Sequence, residues 1–348
     1  MTKRKRSKII PVLLLVLIAA LVGVFGLVYN FIYKNNVDLK GKSYVHIYIR
    51  TGAGYDEVLD TLYKRGIIIN HLSFEQVAKK KKYPLLVHAG RYRINAGMSN
   101  NQLINELRLG QQDPIKITFN NVRKKEDLAG KLGDKLEPDS AQILKALNNE
   151  TLLVKYGFNR ENILAMFVPN TYELNWNTSP SEFMARMAKE YKSFWNDDRK
   201  AKAKALAMTQ TQVMILASIV EKETTVDSDK PDIAGVYINR LKRDMPLEAD
   251  PTLVWAANDF TIKRVLNVHK QIESPYNTYK HKGLPPGPID IPSVASIDAV
   301  LNYEKTDYLY FCASPELSGK SCFAKNMTEH QANAHKYQQA LNKLKIYK

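Results

Sequence analysis

The sequence predicts an α+β protein with a single N-terminal transmembrane helix, a small βα module and a larger mixed domain with a central buried helix. Three patterns predict this fold: a long apolar run near the N-terminus, alternating apolar positions followed by helical stripes, and a later segment that is apolar around its helical circumference. The 348 residues, of which 45% are hydrophobic and 25% charged, suffice for two or three folded domains and exclude a disordered chain.

The N-terminal segment predicts a membrane anchor. Residues 1–8 form a basic tail, and residues 9–33 form the predicted transmembrane helix, in which residues 9–28 carry no charged side chain. Such a helix spans about 30 Å, the thickness of the hydrocarbon core of a bilayer. Because basic residues remain in the cytoplasm, we expect a single-pass protein of the inner (cytoplasmic) membrane with a periplasmic or extracytoplasmic body. A cleaved signal peptide is the alternative, although its apolar core usually has about 7–15 residues.

Residues 34–42 are a predicted linker, and residues 43–138 predict βα modules. Apolar residues alternate at 45–49, 92–94 and 115–119, as in half-buried strands. Each predicted strand precedes a helical stripe, and these stripes lie at 58–62, 103–107 and 128–136. A repeat of this kind is usually a packing solution, but small modules built this way also bind glycans.

Residues 139–348 predict a second, mainly helical domain. Four of the 15 prolines lie between residues 275 and 288, which indicates a rigid loop of the kind that shapes a site. Predicted strands at 308–313 and 320–323 form a hairpin that sets Cys312 opposite Cys322. We expect a disulfide between them in an oxidising compartment, and two buried free thiols are the alternative.

One predicted helix carries carboxyl groups beside an apolar core. Thr209 and Gln212 form a capping box, and residues 213–220 are almost all apolar. At about 100° per residue, Glu223 lies on an apolar stripe of this helix, whereas Glu221 points about 160° away. Desolvation would raise the pKa of a carboxyl on the apolar side, as a general acid for glycosidic cleavage requires. The spacing also fits two exposed glutamates, or pairs with Arg240 or Arg243.

Several motifs in this part of the chain resemble the endolytic murein transglycosylases (YceG-like family). The helix reads ILASIVEKET at 215–224, and the other matching segments follow in the family's order. They are AGVYINRL at 234–241, LEADPT at 247–252, SPYNTY at 274–279, GLPPGP at 283–288 and YLYF at 308–311. The resemblance covers essentially the whole chain, because the N-terminal anchor and a LysM-like subdomain within residues 43–138 also match.

The resemblance implies a lytic transglycosylase that cleaves the MurNAc-GlcNAc β-1,4 bond of nascent peptidoglycan strands internally and without hydrolysis. The product would end in 1,6-anhydro-MurNAc, and the cut would terminate glycan elongation. Residues 139–348 would be the catalytic domain. Glu223 would be the general acid and base, because lytic transglycosylases place a hydroxyl residue directly after the catalytic glutamate and Thr224 stands there; Glu221 is the second choice. Polar and aromatic residues of the matching motifs would bind sugar: Asn239, Asp250, Thr252, Tyr276, Asn277 and Tyr279.

Other functions fit fewer residues. Asp227 and Asp229 form an Asp-x-Asp pair of the kind that binds a metal and sugar nucleotide in type II membrane glycosyltransferases. A non-catalytic glycan-binding scaffold of the wall-synthesis machinery is a further alternative. The seven histidines are scattered, so we expect neither a metal site nor a cofactor. The net charge of +16 suits phospholipid or an acidic wall polymer, with no nucleic-acid signature, and peptidoglycan synthases are possible partners.

Overall fold

A computed structural model describes residues 9–119 and 122–344, and it shows the mixed α+β architecture that the sequence predicts. The first helix, α1, spans Ile9–Tyr33. Its segment Val12–Tyr33 is apolar and long enough to cross a membrane, and Leu15 is 66% exposed. The predicted basic tail at residues 1–8 lies outside the described residues.

A β-α-α-β arrangement follows α1. Strands β1 (Tyr44–Ile49) and β2 (Gly90–Asn95) pair in antiparallel register, with Ile47 opposite Tyr92. Between them lie α2 (Tyr55–Lys64) and α3 (His71–Lys80), and α4 (Asn100–Arg108) follows β2. The predicted strands and stripes of this region are confirmed. Helix α3 was not predicted, because its few apolar residues lie beside the run of four lysines.

The third predicted strand has a distant partner. Strand β3 (Ile115–Thr118) pairs with β4 (Thr171–Leu174), and α5 (Lys125–Gly133) follows β3. The chain accordingly divides into a unit of residues 1–115 with 173–178 and a unit of residues 116–172 with 179–348. The sequence pattern predicts a boundary after residue 138 instead. An alternating strand pattern does not reveal the partner of the strand, so the third βα unit was grouped with the first two.

The second unit is mainly helical. Its helices α6 to α14 are Ser140–Leu147, Glu150–Lys155, Pro180–Phe194, Asp197–Ala205, Gln210–Glu223, Lys230–Lys242, Asp250–Ala257, Val294–Leu301 and Met327–Lys343. The predicted capping box opens α10, since the Gln212 amide donates to Thr209 Oγ1 at 3.2 Å and the Thr209 amide donates to Gln212 Oε1 at 2.8 Å. Residues 213–220 of α10 are all buried.

A hairpin of strands β5 (Tyr310–Ala313) and β6 (Ser321–Ala324) precedes the last helix. Its register sets Cys312 opposite Cys322, as predicted. Both side chains are free thiols, so the expected disulfide is not present in the structure. Facing positions on paired strands allow a bridge but do not require one.

The proline-rich loop is held against α10 and the segment after β3. The Ile289 amide donates to Ser218 Oγ at 3.0 Å, and the Ile291 amide donates to the Val122 carbonyl oxygen at 2.9 Å. Gly287 lies where this loop passes a neighbouring backbone, and a Cβ there would be 1.9 Å from the Glu161 carbonyl oxygen. A side chain at position 287 would therefore displace the loop.

We expect Gly287→Ala to lower the free energy of unfolding by about 1–3 kcal/mol, because the added methyl group overpacks a rigid backbone contact. Urea denaturation of the purified chain measures this change. Gly130→Ala is the matched control, since no atom beyond its chain neighbours and the backbone of α5 lies within 4 Å of its Cβ position. That helical change should stabilise by about 0.5–1 kcal/mol. Equal stabilities of the two variants would contradict the close approach.

Candidate active site

The C-terminal end of α10 opens into a cleft of about 390 Å³. The cleft is lined by separate segments of the second unit, which contribute Arg123, Glu223, Asp250, Trp255, Phe260 and Ile289. Glu223 keeps partial exposure, whereas the residues 213–220 before it are buried. The last turn of a buried helix thus presents one carboxyl group to an open cavity.

The carboxyl group of Glu223 is adapted to hold a proton near neutral pH. Burial is the main cause that raises its pKa, to about 7, and the negative charge of Asp250 raises it further. Two groups act in the opposite direction: Tyr237 donates a hydrogen bond to Glu223 Oε1 at 2.5 Å, and Arg240 attracts the ionised form. A carboxyl with this pKa can donate a proton and later accept one.

Tyr237 is itself fixed by the hairpin. Its ring packs edge-to-face on Phe311 of β5, with ring centroids 6.0 Å apart. One turn further along α11, the buried Arg240 donates from Nε to the Leu309 carbonyl oxygen at 2.7 Å. Nη1 of the same side chain donates to the carbonyl oxygens of Pro246 and Leu247, at 3.1 and 3.0 Å. These bonds join α11 to the hairpin and to the segment that leads to Asp250.

Glu221 has a different environment from Glu223. Its carboxylate accepts hydrogen bonds from Ser293 Oγ, at 2.5 Å, and from Ser296 Oγ at the start of α13. Lys230 Nζ lies 3.3 Å from Glu221 Oε2. Burial alone would raise the pKa of Glu221, but these hydrogen bonds and the lysine charge outweigh it and lower the pKa. Glu221 is therefore held as an anion that supports the start of α13, and it is not among the residues that line the cleft.

Asp250 and Tyr279 lie together beside Glu223. Asp250 begins α12 and lines the cleft, and Tyr279 donates its hydroxyl hydrogen bond to Asp250 Oδ1 at 2.6 Å. Tyr276 is set further back, with its ring 5.7 Å from that of Trp255. The cleft lining thus includes two of the sequence-predicted site residues, Glu223 and Asp250, and Tyr279 contacts the second of them.

The other predicted sugar-binding residues satisfy backbone groups of the scaffold. Asn239 donates to the carbonyl oxygens of Thr306 and Tyr308, at 2.8 and 3.0 Å. Thr252 is fully buried and donates to the Ala249 carbonyl oxygen at 2.7 Å. Asn277 is also fully buried and holds the ends of its own loop, since it donates to the Lys270 and Ile272 carbonyl oxygens.

Several residues of the cleft were not predicted from the sequence. Trp255 follows Asp250 in α12, and Asp250, Pro251, Val254 and Trp255 all line the cleft from one face of that helix. This helical spacing is a signal that could have identified Trp255. Arg123 and Phe260 come from loops distant in the sequence, and their contact, 4.7 Å from guanidinium carbon to ring centroid, has no sequence signal.

The Asp-x-Asp pair has structural partners. Asp229 is buried and accepts a hydrogen bond from the Ser321 amide at 2.6 Å, at the start of β6. Asp227 lies 2.8 Å from Lys230 Nζ. Within residues 9–119 and 122–344, no group of three or more His, Cys, Asp or Glu side chains is arranged to hold a metal ion.

The sequence profile of the YceG-like family matches residues 47–336. The chain belongs to this family. The endolytic murein transglycosylase of Bacillus subtilis is 31% identical over an alignment of 317 residues that covers 86% of this chain and 87% of that protein. The endolytic murein transglycosylase of Streptococcus pneumoniae serotype 2 is 30% identical over 89% of this chain, which spans 61% of that longer protein. The crystal structure of a YceG-like protein of Listeria monocytogenes matches with a TM-score of 0.55 and 26% identity, over 84% of this chain and 99% of that one.

We expect a direct NMR titration of this YceG-like protein, labelled at glutamate side-chain carbons, to show one carboxyl that titrates near pH 7. Tyr237→Phe should move that titration to higher pH, because it removes a hydrogen bond that favours the ionised form. Tyr308→Phe, which removes a hydroxyl group outside the cleft lining, is the control and should leave the titration unchanged. A downward shift in Tyr237→Phe would contradict this role of the tyrosine.

Proposed function

We propose that the protein is a membrane-anchored lytic transglycosylase that cuts peptidoglycan glycan strands internally. The single observation that carries the proposal is the Glu223 carboxyl, whose pKa is raised to about 7 at the mouth of the cleft. The names of its relatives support the substrate class, since both the Bacillus and the Streptococcus protein are called endolytic murein transglycosylases. Neither a metal nor a cofactor enters the proposed reaction.

In the proposed reaction, Glu223 acts first as an acid and then as a base. The protonated carboxyl donates its proton to the glycosidic oxygen while the bond to C1 of MurNAc breaks. The resulting carboxylate then accepts the proton of the sugar's own C6 hydroxyl, whose oxygen attacks C1 and closes a 1,6-anhydro ring. No water is consumed, and the proton taken from C6 restores the acid form of Glu223.

Asp250 provides a specific reason to test the hydrolytic alternative. Hydrolases of the usual kind need two carboxyl groups about 5–9.5 Å apart, and Asp250 is a second carboxyl in the same cleft. In the transglycosylase mechanism, Asp250 stabilises positive charge that develops on the sugar ring and keeps the Glu223 pKa high. Tyr279, which donates a hydrogen bond to Asp250, fixes the orientation of this carboxyl group.

Sugar contacts are proposed for the residues that the cleft exposes. Trp255 offers an aromatic face, and Tyr276 packs behind it. Asp250 provides a polar group that can bind sugar hydroxyls, and Tyr279 lies next to it. Asn239, Thr252 and Asn277 act indirectly, by holding the segments on which those groups are mounted.

The location and the accessory module complete the proposal. Helix α1 anchors the chain in the cytoplasmic membrane, with the N-terminus inside and the residues after α1 outside, because the basic residues precede the apolar segment. The β1-α2-α3-β2 arrangement is a LysM-like glycan-binding module. An enzyme held at the membrane meets nascent strands, and its cut ends the elongation of those strands. The membrane anchor also places the enzyme beside the peptidoglycan synthases.

We expect Glu223→Gln to lower kcat by about 10²–10⁴-fold without a loss of stability, because the amide keeps the shape of the side chain but carries no transferable proton. Turnover of purified peptidoglycan and urea denaturation measure the two effects. Glu221→Gln is the matched control on the same helix. It should cost about 1–3 kcal/mol of stability, through its lost hydrogen bonds, and retain most of the turnover. An inactive Glu221→Gln beside an active Glu223→Gln would reverse the assignment.

Mass spectrometry of the products should show strands that end in 1,6-anhydro-MurNAc, because the C6 hydroxyl replaces water as the nucleophile. The reaction is run in ¹⁸O-labelled water with a chelator present. Reducing ends that carry one labelled oxygen per cut would identify a hydrolase and would assign Asp250 to the activation of water. The same products from Glu223→Gln would show a contaminating enzyme.

A further inference from the structure

We propose that the first unit of the chain rests on the membrane that α1 crosses, and that Ile69 and Leu72 enter the leaflet at the C-terminal end of α1. This inference rests on the membrane anchor of the proposed function. It adds a lipid-binding surface to the unit that contains the β1-α2-α3-β2 arrangement, and it is drawn from the way in which α1 joins that unit.

The end of α1 is bonded directly to the first unit. Asn100, at the start of α4, donates from Nδ2 to the Phe31 carbonyl oxygen at 2.8 Å. That oxygen is one of the carbonyl groups that a helix leaves without a helical partner at its C-terminal end. Ile32 packs against the core of the unit, and Val37 and Leu39, which follow α1, are buried in that same core. The anchor therefore continues into the unit without a free segment between them.

A buried polar side chain extends this junction to α3. Asn36 donates from Nδ2 to Asn100 Oδ1 at 2.7 Å and to the Asn70 carbonyl oxygen at 2.9 Å. Its Oδ1 accepts a hydrogen bond from the Asn70 amide at 2.7 Å. The Ile69 amide donates to the Asn36 carbonyl oxygen at 2.9 Å. Because buried polar groups are costly to leave unpaired, these bonds hold the start of α3 beside the end of α1.

Two large apolar side chains are exposed at this junction. Ile69 and Leu72, on either side of the N-cap residue of α3, are each 64% exposed. Tyr29 and Tyr33, in the last turns of α1, are also exposed, and their ring centroids are 5.1 Å apart. Tyrosines near the end of a transmembrane helix mark the level of the lipid headgroups. Ile69 is bonded to residue 36, close beyond Tyr33, so both apolar side chains lie where they can enter the leaflet.

The chain that leaves α1 has the charge that suits lipid headgroups. Residues 34–42 carry three lysines, Lys34, Lys40 and Lys42, and one acidic residue, Asp38, and all four are exposed. A lysine can lay its apolar stem along a bilayer while its ammonium group stays among the headgroups. An excess of lysines near an anionic lipid surface is attracted to it. Apolar side chains beside basic ones are typical of a surface that lies in the membrane interface.

The opposite end of the first unit provides a comparison within the same protein. Helices α3 and α4 both begin at the end of α1, and α3 extends for about 15 Å. Leu85 follows the far end of α3 and is 82% exposed. The nearby His88 lies beside Gly110, which follows the last turn of α4. Leu85 is thus an exposed apolar side chain at the end of the unit that points away from the anchor.

Fluorescence of the full chain in nanodiscs of phosphatidylglycerol and phosphatidylcholine tests the inference. Leu72→Cys or Leu85→Cys is placed in a Cys312→Ser, Cys322→Ser background and labelled with an environment-sensitive dye. We expect lipids with brominated acyl chains to quench most of the emission from position 72, because the dye there lies in the leaflet. Iodide, which stays in water, should quench most of the emission from position 85 and little from position 72.

The junction is tested by two neighbouring variants of α4. Asn100→Ala removes the bonds to Phe31 and Asn36 and should lower the quenching by brominated lipid at position 72. Asn101→Ala is the matched control, since its side chain takes no part in these bonds, and it should keep that quenching. Circular dichroism of both variants checks that the unit stays folded, and the comparison of positions 72 and 85 does not depend on either.

Equal quenching at positions 72 and 85, by iodide or by brominated lipid, would overturn the inference. If the chain still entered the nanodiscs, that result would leave the membrane anchor intact. A chain that stayed outside the nanodiscs would overturn the anchor and the inference together. Turnover of peptidoglycan by the same samples tests the chemistry of Glu223 separately, since neither labelled position belongs to the cleft.

Discussion

The removal of one carboxyl group from water is the constraint on which the rest of the site depends. Helix α10 buries residues 213–220 and ends at Glu223, so the carboxyl emerges from an apolar helix into a partly closed cleft. Glu221, two residues earlier, shows that the helix alone does not set the proton affinity. Serine hydroxyls and a lysine lower the pKa of Glu221, whereas a single tyrosine leaves that of Glu223 high. The carboxyl that accepts several hydrogen bonds, Glu221, is thus an anion, whereas the carboxyl that accepts one, Glu223, can hold a proton near neutral pH.

A second constraint is the buried guanidinium of Arg240. A buried charge is tolerated only where hydrogen bonds satisfy it, and here three carbonyl oxygens and the Glu248 carboxylate do so. Those acceptors belong to the approach to β5 and to the segment before α12. One side chain therefore fixes both the hairpin that supports Tyr237 and the turn that presents Asp250. Arg240 and its hydrogen-bond acceptors therefore determine the geometry of the cleft, although no substrate needs to contact them.

The sequence was informative where a pattern is local. The capping box of α10, its apolar run and the unequal faces of Glu221 and Glu223 follow from helical periodicity, and the structure places the two carboxyls in different environments accordingly. The hairpin register at Cys312 and Cys322 was likewise predicted from two short strands and a turn. The partner of β3 could not be predicted, because pairing joins residues 118 and 171 through tertiary structure.

The role of a polar residue was the hardest feature to predict. Asn239, Thr252 and Asn277 are polar in apolar surroundings, a pattern shared by ligand-binding groups and by groups that satisfy buried backbone. Only the hydrogen bonds distinguish the two, and all three side chains bond to carbonyl oxygens of the scaffold. Arg123 has the opposite property, since nothing local marks it and the folded chain brings it to the cleft.

The contact between Tyr237 and Phe311 links the Glu223 carboxyl to a late part of the chain. A ribosome that has just completed α10 has produced Glu223 but neither the hairpin nor the loops that close its surroundings. Until β5 has been made, Tyr237, which donates to Glu223, lacks the ring against which it packs. The surroundings of the Glu223 carboxyl are therefore completed only after the chain beyond residue 311 has been made, so an unfinished copy lacks this site.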